Sequence, residues 1–206
     1  MVIIVDYGVG NLRSVQKAIE FLGHSAKISS QPDEIKQAQT IVVPGQGAFS
    51  QAMANLKKKD LLSIIENHIN NKKPFLGICV GFQILFEKSF EHGENPGLGV
   101  FQGSVKRFNL KEYKIPHMGW NSINKKADPG EFFAGLGPSC YTYFVHSYYV
   151  ETDQTEIIST TTDYGIEFVS AIQAENLLAT QFHPEKSGKV GMTILKNFFE
   201  RINNDK

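Results

Sequence analysis

The sequence predicts an α/β fold built on a mainly parallel open sheet, flanked by helices and extended by antiparallel strands. Over the first hundred residues, strand-length apolar runs alternate with helical patterns, which is typical of a parallel sheet covered on both faces. After about residue 100, strand-like runs follow one another with little helix between them, which indicates the antiparallel extension. No linker, repeat or low-complexity segment interrupts the chain, so residues 1–206 are expected to form a single domain.

The predicted parallel strands are short apolar runs bounded by turn signals or by helical patterns. They lie at residues 2–5, 25–29, 41–43 and 75–78. A helical pattern begins at Leu12, and Gly23 stands where a left-handed cap would close that helix. Asp60 is expected to cap a further helix that runs to about Ile69.

The second half of the chain is predicted to be mostly strand, followed by one long helix. The strand-like runs are residues 104–108, 141–150, 156–160, 168–173 and 177–181. A single apolar stripe from Val190 to Ile202 predicts the terminal helix.

Bulk composition excludes several classes of protein. The 21 basic and 21 acidic residues cancel, so nothing indicates binding to nucleic acid or to an anionic membrane. The beginning of the chain has no basic leader, and the most apolar window is too short to span a bilayer, so we expect a cytoplasmic protein. Cys79 and Cys140 are too few for a disulfide framework, although a single bridge between them stays open.

The stretch around Cys79 predicts a nucleophile elbow. A buried strand ends at the cysteine, Gly77 and Gly81 bracket it, and a helical pattern follows, as in Gly-x-Ser-x-Gly with cysteine in place of serine. The glycines remove Cβ atoms where the backbone doubles back. The beginning of a helix also offers unpaired N–H groups that favour a thiolate and an oxyanion. The alternative is an ordinary buried cysteine at the end of a strand.

His183 is the candidate general base for this thiol. It lies between a predicted strand and the last helix, and Pro184 stiffens the turn that follows it. Glu185, two residues on, is able to accept a hydrogen bond from the imidazole and to fix its tautomer. A histidine that only packs or caps at the strand end remains an alternative, and so does a metal ligand pair, although no further cluster has ligand spacing.

Three loops are expected to meet at one edge of the sheet. They are residues 8–11, 44–47 and 79–81, and each follows a predicted parallel strand. Ligands of open α/β sheets bind at the carboxyl ends of the strands, so this edge is the predicted site. Neither the glycines near position 8 nor those near position 45 complete a dinucleotide-binding or phosphate-loop motif, so no cofactor is expected.

The segment 77–83, joined to His183-Pro184-Glu185, resembles the signature of class I, triad-type glutamine amidotransferases, whose fold is flavodoxin-like. This resemblance implies Cys79 as nucleophile, His183 as general base and acid, and Glu185 as the orienting carboxylate. It implies further that the backbone of the oxyanion loop at Gly45, Gln46 and Gly47, together with that of Val80, forms the oxyanion hole. It also implies L-glutamine as substrate, with contacts from Gln83, Ser147 and Tyr148.

A narrower resemblance covers residues 2–202, through the segments 6–11, 116–121 and 143–149. These segments are similar to the glutaminase subunits of imidazole glycerol phosphate synthases. That family implies a heterodimer with a (β/α)8-barrel cyclase that receives ammonia for histidine biosynthesis. Asn11, Trp120 and Lys186 match its interface positions, although Trp120 alone would be expected in the core and Lys186 alone would be a solvated charge.

The chain departs from this family at Gln46, where valine is usual. A backbone donor does not depend on its side chain, and we expect Gly45 and Gly47 to keep the freedom that a peptide flip requires. Without the resemblance, Gln83 would be interpreted as an ordinary helix residue.

Two other functions stay open: a paralogous glutaminase that serves sugar amidation in surface-polysaccharide synthesis, and a stand-alone γ-glutamyl cysteine hydrolase. A non-catalytic binding subunit is disfavoured by the intact Cys79, His183 and Glu185.

Overall fold

A computed structural model describes residues 1–204 of the chain. Within them the strands are β1 (Val2–Val5), β2 (Ala26–Ser29), β3 (Thr40–Gly45), β4 (Phe75–Cys79), β5 (Phe86–Ser89), β6 (Asn95–Pro96), β7 (Phe101–Arg107), β8 (His117–Lys125), β9 (Cys140–His146), β10 (Tyr148–Glu151), β11 (Ile158–Asp163), β12 (Glu167–Ala174) and β13 (Leu177–Thr180). The helices are α1 (Leu12–Phe21), α2 (Pro32–Lys36), α3 (Phe49–Lys58), α4 (Leu62–Asn70), α5 (Val80–Gln83) and α6 (Gly188–Asn204). Short 3-10 turns lie at Glu131–Phe133, Thr155–Ile157 and Pro184–Lys186.

The sheet confirms the predicted fold class. Strands β2, β1, β3, β4 and β13 are hydrogen-bonded in that order, and every pairing among them is parallel. Beyond β13 the sheet continues through β12, β10 and β7 with antiparallel pairings. Strands β11, β8 and β9 form an antiparallel branch that leaves from β12. Strands β1, β3, β4 and β13 are buried on both faces, whereas the edge strand β2 is partly exposed.

The prediction that Asp60 caps α4 is wrong. The residue before α4 is Leu61, which makes no side-chain capping bond, and Asp60 adopts a left-handed φ of 56°. The amide of Leu61 donates to the carbonyl of Leu56 at 3.0 Å, which is the bond that closes a helix through a left-handed residue. Asp60 therefore ends α3 instead of beginning α4.

The helix after the elbow is shorter than its apolar spacing predicts. It ends after one turn at Gln83, and β5 begins at Phe86. The carbonyls of Ile84 and Leu85 accept hydrogen bonds from the amides of Leu98 and Phe101, at 2.8 and 3.1 Å. Because these carbonyls are engaged by a distant segment, they are not available to extend the helix.

One contiguous apolar cluster joins the helices to both halves of the sheet. It includes the buried aromatic side chains of Phe75, Phe82 and Phe144. Among residues 1–204, no helix combines the length and the apolar character needed to cross a membrane.

Candidate active site

Cys79 lies at a strained turn between β4 and α5. Its backbone has φ 57° and ψ −106°, a combination that side-chain-bearing residues rarely adopt. Such strain at a strand-to-helix turn is the mark of a nucleophile elbow, where it holds the reactive side chain above the sheet. The geometry predicted from the glycine–cysteine–glycine spacing is therefore present.

The two flanking glycines are required by backbone contacts. A Cβ at Gly81 would lie 1.8 Å from the carbonyl oxygen of Val43, and one at Gly77 would lie 2.6 Å from that of Gly81. Neither contact is sterically allowed. The turn folds back so closely on itself and on β3 that only glycine fits at both positions.

The loops that follow the first parallel strands converge as predicted. Gly45, at the end of β3, is in register with Cys79 on β4. A Cβ at Gly10 would lie 3.8 Å from the Cα of Gly45. Tyr7, from the end of β1, is fully buried and donates a hydrogen bond to the carbonyl of Pro44 at 2.7 Å. Burial, together with the nearby sulfur of Cys79, raises the pKa of Tyr7, so it stays a neutral donor.

His183 and Glu185 form a buried pair just beyond β13. Nδ1 of His183 lies 2.8 Å from Oε1 of Glu185, and both side chains are almost fully buried. Burial alone would lower the pKa of His183, but Cys79 and the carboxylate of Glu185 more than offset it and raise that pKa to about 9. Cys79 thus lies close enough to bias the imidazole towards its protonated form.

The second imidazole nitrogen is left free for chemistry. Nε2 of His183 is buried and makes no hydrogen bond with any group in residues 1–204. Since Glu185 holds Nδ1, a neutral His183 carries its proton there and leaves Nε2 able to accept one. A buried nitrogen without a regular hydrogen bond, close to the sulfur that raises its pKa, disfavours a histidine that only caps or packs.

A cavity of about 460 Å³ opens over Cys79. Its lining includes most of the residues predicted to meet the substrate: Gln46, Gly47, Cys79, Val80, Gln83, Ser147 and Tyr148. The sequence analysis assigned no role to five others, Glu91, Pro116, Tyr143, Val145 and His146, although all but Glu91 lie in the segments that carry the family resemblance. The last three belong to β9, where Tyr143 and Val145 are on the outward face and His146 is on the inward one, so no simple alternation marks them as lining a cavity.

The two glycines of the oxyanion loop have different surroundings. A Cβ at Gly45 would lie 2.6 Å from Cβ of Val80 and 2.7 Å from the hydroxyl of Tyr7, so this glycine allows close packing. Gly47 is exposed, has φ 98°, and would have open space around a Cβ. Packing therefore requires glycine at position 45, whereas at position 47 only the positive φ favours it.

Glu91 is a charged group of the cavity that no sequence motif identified. It accepts a hydrogen bond from the amide of Phe49 at 2.6 Å and so caps α3, whose own cap residue, Ala48, has no side-chain acceptor. Because α3 begins directly after the oxyanion loop, Glu91 anchors the far end of that loop. Its half-buried carboxylate also faces the cavity.

Of the predicted interface residues, Lys186 lines this cavity, Trp120 packs on a residue that lines it, and Asn11 lies on the surface elsewhere. Trp120 is 57% exposed and packs edge-on against Tyr143, so the alternative of a core tryptophan is wrong. Nζ of Lys186 lies 5.9 Å from the ring centre of Tyr143 and lines the cavity, so it is more than a solvated charge. Asn11 is exposed at the beginning of α1, where its side chain accepts from the amide of Ser14 at 3.4 Å.

Cys79 and Cys140 are both free thiols, so the bridge between them is not formed. The Cys140 thiol donates to the carbonyl of Gly137 at 3.1 Å, on the branch formed by β8 and β9. Cys140 is therefore a buried structural cysteine.

Solved structures resemble the fold over almost the whole chain. A crystal structure of a glutamine amidotransferase has a TM-score of 0.76 and 18% identity, and covers 98% of both chains. PurLQS from Thermotoga maritima has the same TM-score of 0.76 and 15% identity, and covers 97% of both chains. At these identities the likeness concerns the fold alone.

Sequence relatives are much closer. An imidazole glycerol phosphate synthase subunit HisH from Caldanaerobacter subterraneus subsp. tengcongensis is 49% identical over 202 residues, covering 98% of each chain. The same subunit from Aquifex aeolicus is 48% identical over 197 residues, covering 95% of this chain and 94% of the relative. The family described as glutamine amidotransferase class-I matches residues 3–202. The chain therefore belongs to the class-I glutamine amidotransferases and, within them, to the family of imidazole glycerol phosphate synthase HisH subunits.

Proposed function

We propose that this chain hydrolyses L-glutamine to glutamate and ammonia, and passes the ammonia to a (β/α)8-barrel cyclase for imidazole glycerol phosphate synthesis. The observation that carries the proposal is a strained cysteine that lines a cavity, together with a buried His183–Glu185 pair in which the nearby Cys79 raises the pKa of His183. The near-full-length relatives named as HisH subunits support the pathway, which is histidine biosynthesis.

The first half of the reaction forms a thioester. Cys79 gives its proton to Nε2 of His183, and the sulfur attacks the side-chain carbonyl carbon of glutamine. Backbone N–H groups of Val80 and of the oxyanion loop, residues 45–47, hold the developing oxyanion, and losing one such donor costs roughly 10²–10³ in rate. His183 then donates its proton to the nitrogen, which leaves as ammonia.

The second half regenerates the thiolate. Nε2 of His183 takes a proton from water, whose oxygen attacks the γ-glutamyl thioester, and glutamate leaves as the carbon–sulfur bond breaks. Glu185 keeps the imidazole in one orientation and stabilises its charged form throughout. Its buried position excludes water that would weaken this interaction.

The cavity offers partners for the amino-acid end of glutamine. We assign the α-ammonium to the carboxylate of Glu91 and the α-carboxylate to the backbone around Ser147 and Tyr148. Both hydrogens of the Gln83 amide are engaged within the protein, with the carbonyl of Tyr148 and with Gln181, so only its oxygen is left for the substrate.

An apolar surface beside the cavity supports a partner at its mouth. Met118, Trp120 and Tyr141 are more than half exposed on one face of the β8–β9 hairpin. Tyr143 and Val145, on the same face, line the cavity itself. Contiguous exposed apolar side chains mark interaction sites, and a partner seated here would enclose the ammonia, which has to stay unprotonated to react.

The test is glutamine hydrolysis with and without candidate partners. We expect weak activity of the chain alone, strong stimulation by an imidazole glycerol phosphate synthase cyclase with its substrate, and none in Cys79→Ala. A glutamine-like electrophile should label Cys79. A full rate without any partner would contradict channelling, and stimulation only by a sugar-amidation partner would move the chain to that pathway.

A further inference from the structure

The sulfur of Cys79 has a hydrogen-bond donor that the triad does not include. Nε2 of Gln181 lies 3.7 Å from Cys79 Sγ and donates towards it. Gln181 is fully buried directly after β13, two residues before His183. Sulfur is a weak acceptor as a thiol, but a hydrogen bond to a charged acceptor is roughly twice as strong, so this contact favours the thiolate.

The orientation of the Gln181 amide is determined by its neighbours. Its Oε1 accepts from Nε2 of Gln83 at 2.9 Å, so its own N–H groups face the sulfur. The Gln83 amide is in turn oriented by the carbonyl of Tyr148, to which it donates at 3.1 Å. A backbone carbonyl only accepts, so flipping either amide would bring two acceptors or two donors together in a buried site.

The carbonyl that anchors this arrangement is itself held from the other side. Nδ1 of His146 lies 2.8 Å from the carbonyl oxygen of Tyr148, and Nε2 of His146 lies 2.9 Å from Nδ1 of His117. Both histidines are buried. The donor that points at the sulfur is therefore the end of a chain of hydrogen bonds whose side chains, Gln181, Gln83, His146 and His117, are all buried.

We propose that Gln181 is a further catalytic residue, which stabilises the thiolate of Cys79 by an amide N–H···S⁻ hydrogen bond, and that Gln83 positions it. The proposal rests on the proposed function, because a thiolate matters here as the nucleophile. The bond is strongest when the sulfur is charged, before attack and again when the thioester breaks, and weakest in the thioester itself. Gln83 therefore has two roles, since its oxygen remains free for glutamine.

The fraction of Cys79 that is a thiolate follows from the rate at which iodoacetamide, a neutral reagent, alkylates it. This rate is measured on the full chain at different pH values. The titratable groups that surround the sulfur are His183 with Glu185, Tyr7, His146, Glu91 and Lys186. Gln181→Met keeps the length of the side chain and removes the donor. Gln173→Met is the matched control, because Gln173 lies on β12 in register with Leu178, well before the end of β13.

We expect Gln181→Met to slow alkylation at neutral pH by about 10–100-fold, as for the loss of a hydrogen bond to a charged group. The pH at which the rate reaches half its maximum should rise, and Gln173→Met should leave both unchanged. Equal rates in folded Gln181→Met and in the unaltered protein would overturn the proposal. If the unaltered Cys79 reacts no faster than free cysteine and His183→Asn changes nothing, the triad itself is wrong.

A second measurement needs no substitution at Gln181. The side-chain amide protons of Gln181, observed by NMR in the full chain, should shift upfield when Cys79→Ala removes the acceptor. Those of Gln173 should not move. Unchanged Gln181 resonances would also overturn the proposal.

Discussion

Nδ1 of His117 and Nε2 of His146 lie 2.9 Å apart in a buried pair. The groups around the pair determine which ring nitrogen of each histidine carries the proton. The carbonyl of Tyr148 accepts from Nδ1 of His146, so Nε2 of His146 is bare and accepts from His117. Burial lowers the pKa of His117 to about 4 and that of His146 to about 3, and a third buried histidine, His68, also has a pKa of about 4 for the same reason. All three are neutral in the native protein.

This burial makes the fold sensitive to mild acid. An unfolded histidine has a pKa of about 6.5, so between about pH 6.5 and 4 the unfolded chain binds more protons than the native one. The free energy of unfolding therefore falls as the pH falls through this window, by about 2–4 kcal/mol per pH unit near its lower end. Urea unfolding at several pH values measures the slope.

A substitution of His68 tests whether the buried histidines cause this acid sensitivity. Its Nε2 lies 3.0 Å from the carbonyl of Pro74, and His68→Gln keeps a donor for this carbonyl but does not titrate. We expect this variant to reduce the slope of the free energy of unfolding against pH by the contribution of one titrating group, roughly 1.4 kcal/mol per pH unit. His92→Gln, at an exposed histidine, is the control and should leave the slope unchanged. An unaltered slope in His68→Gln would show that other groups cause the acid sensitivity.

The sequence predicts the parallel half of this fold well, because its strands are continuous apolar runs and its turns carry glycines that sterics demand. The strand-like runs predicted from the sequence do not include β8. Over its first five residues the inward side carries His117, Gly119 and Asn121 while the outward side carries Met118 and Trp120, the reverse of an ordinary amphipathic strand, and only Ile123 restores an apolar inward residue. Pattern analysis assumes that apolar residues face inwards, so a strand that presents an apolar face to a partner escapes it.

The sequence predicts those parts of the candidate site whose residues lie close together in the chain. The elbow around Cys79 and the His183–Glu185 pair are each contained within a few residues, so short-range patterns identify them. Glu91 and Gln181 reach the site through the fold. Their partners, Phe49 and Cys79, are 42 and 102 positions away along the chain. No local pattern marks such residues.

Glu185→Gln should impair the chemistry far more than the binding of glutamine. The amide no longer stabilises a charged imidazole, so the pKa of His183 should fall below its present value of about 9, and a flipped amide would favour the wrong tautomer. We expect kcat to fall by roughly 10²–10⁴-fold with little change in KM, as for other orienting carboxylates. Steady-state kinetics of the complex would check this, and a kcat within threefold of the unaltered enzyme would remove Glu185 from the triad.

Two glycine substitutions should separate stability from activity. Gly81→Ala brings a Cβ to 1.8 Å from the carbonyl of Val43, so we expect a loss of more than about 3 kcal/mol or no folded protein. At Gly47 a Cβ meets nothing, and only the left-handed φ of 98° is strained, which costs about 1–2 kcal/mol. Gly47→Ala should therefore fold, but with slower glutamine hydrolysis because the oxyanion loop is stiffer. Urea unfolding and activity assays on both variants would show whether this separation holds.

Glu91 caps α3, and we also assign it the α-ammonium of glutamine; one pair of variants separates the two roles. Glu91→Gln retains an oxygen that accepts from the amide of Phe49 and so keeps the cap of α3, but it loses the charge that faces the cavity. We expect its stability to be unchanged and its KM for glutamine to rise by about 10–100-fold, because a charged partner of the α-ammonium is lost.

Glu91→Ala removes both contributions, so it should also lose about 1 kcal/mol of stability. Glu94→Gln is the control, since Glu94 pairs with Lys88 on the surface, and it should change neither quantity. The two quantities come from urea unfolding and from the glutamine dependence of the rate. If Glu91→Gln left KM unchanged while Glu91→Ala destabilised the fold, Glu91 would be a cap only, and the α-ammonium would have to bind elsewhere in the cavity.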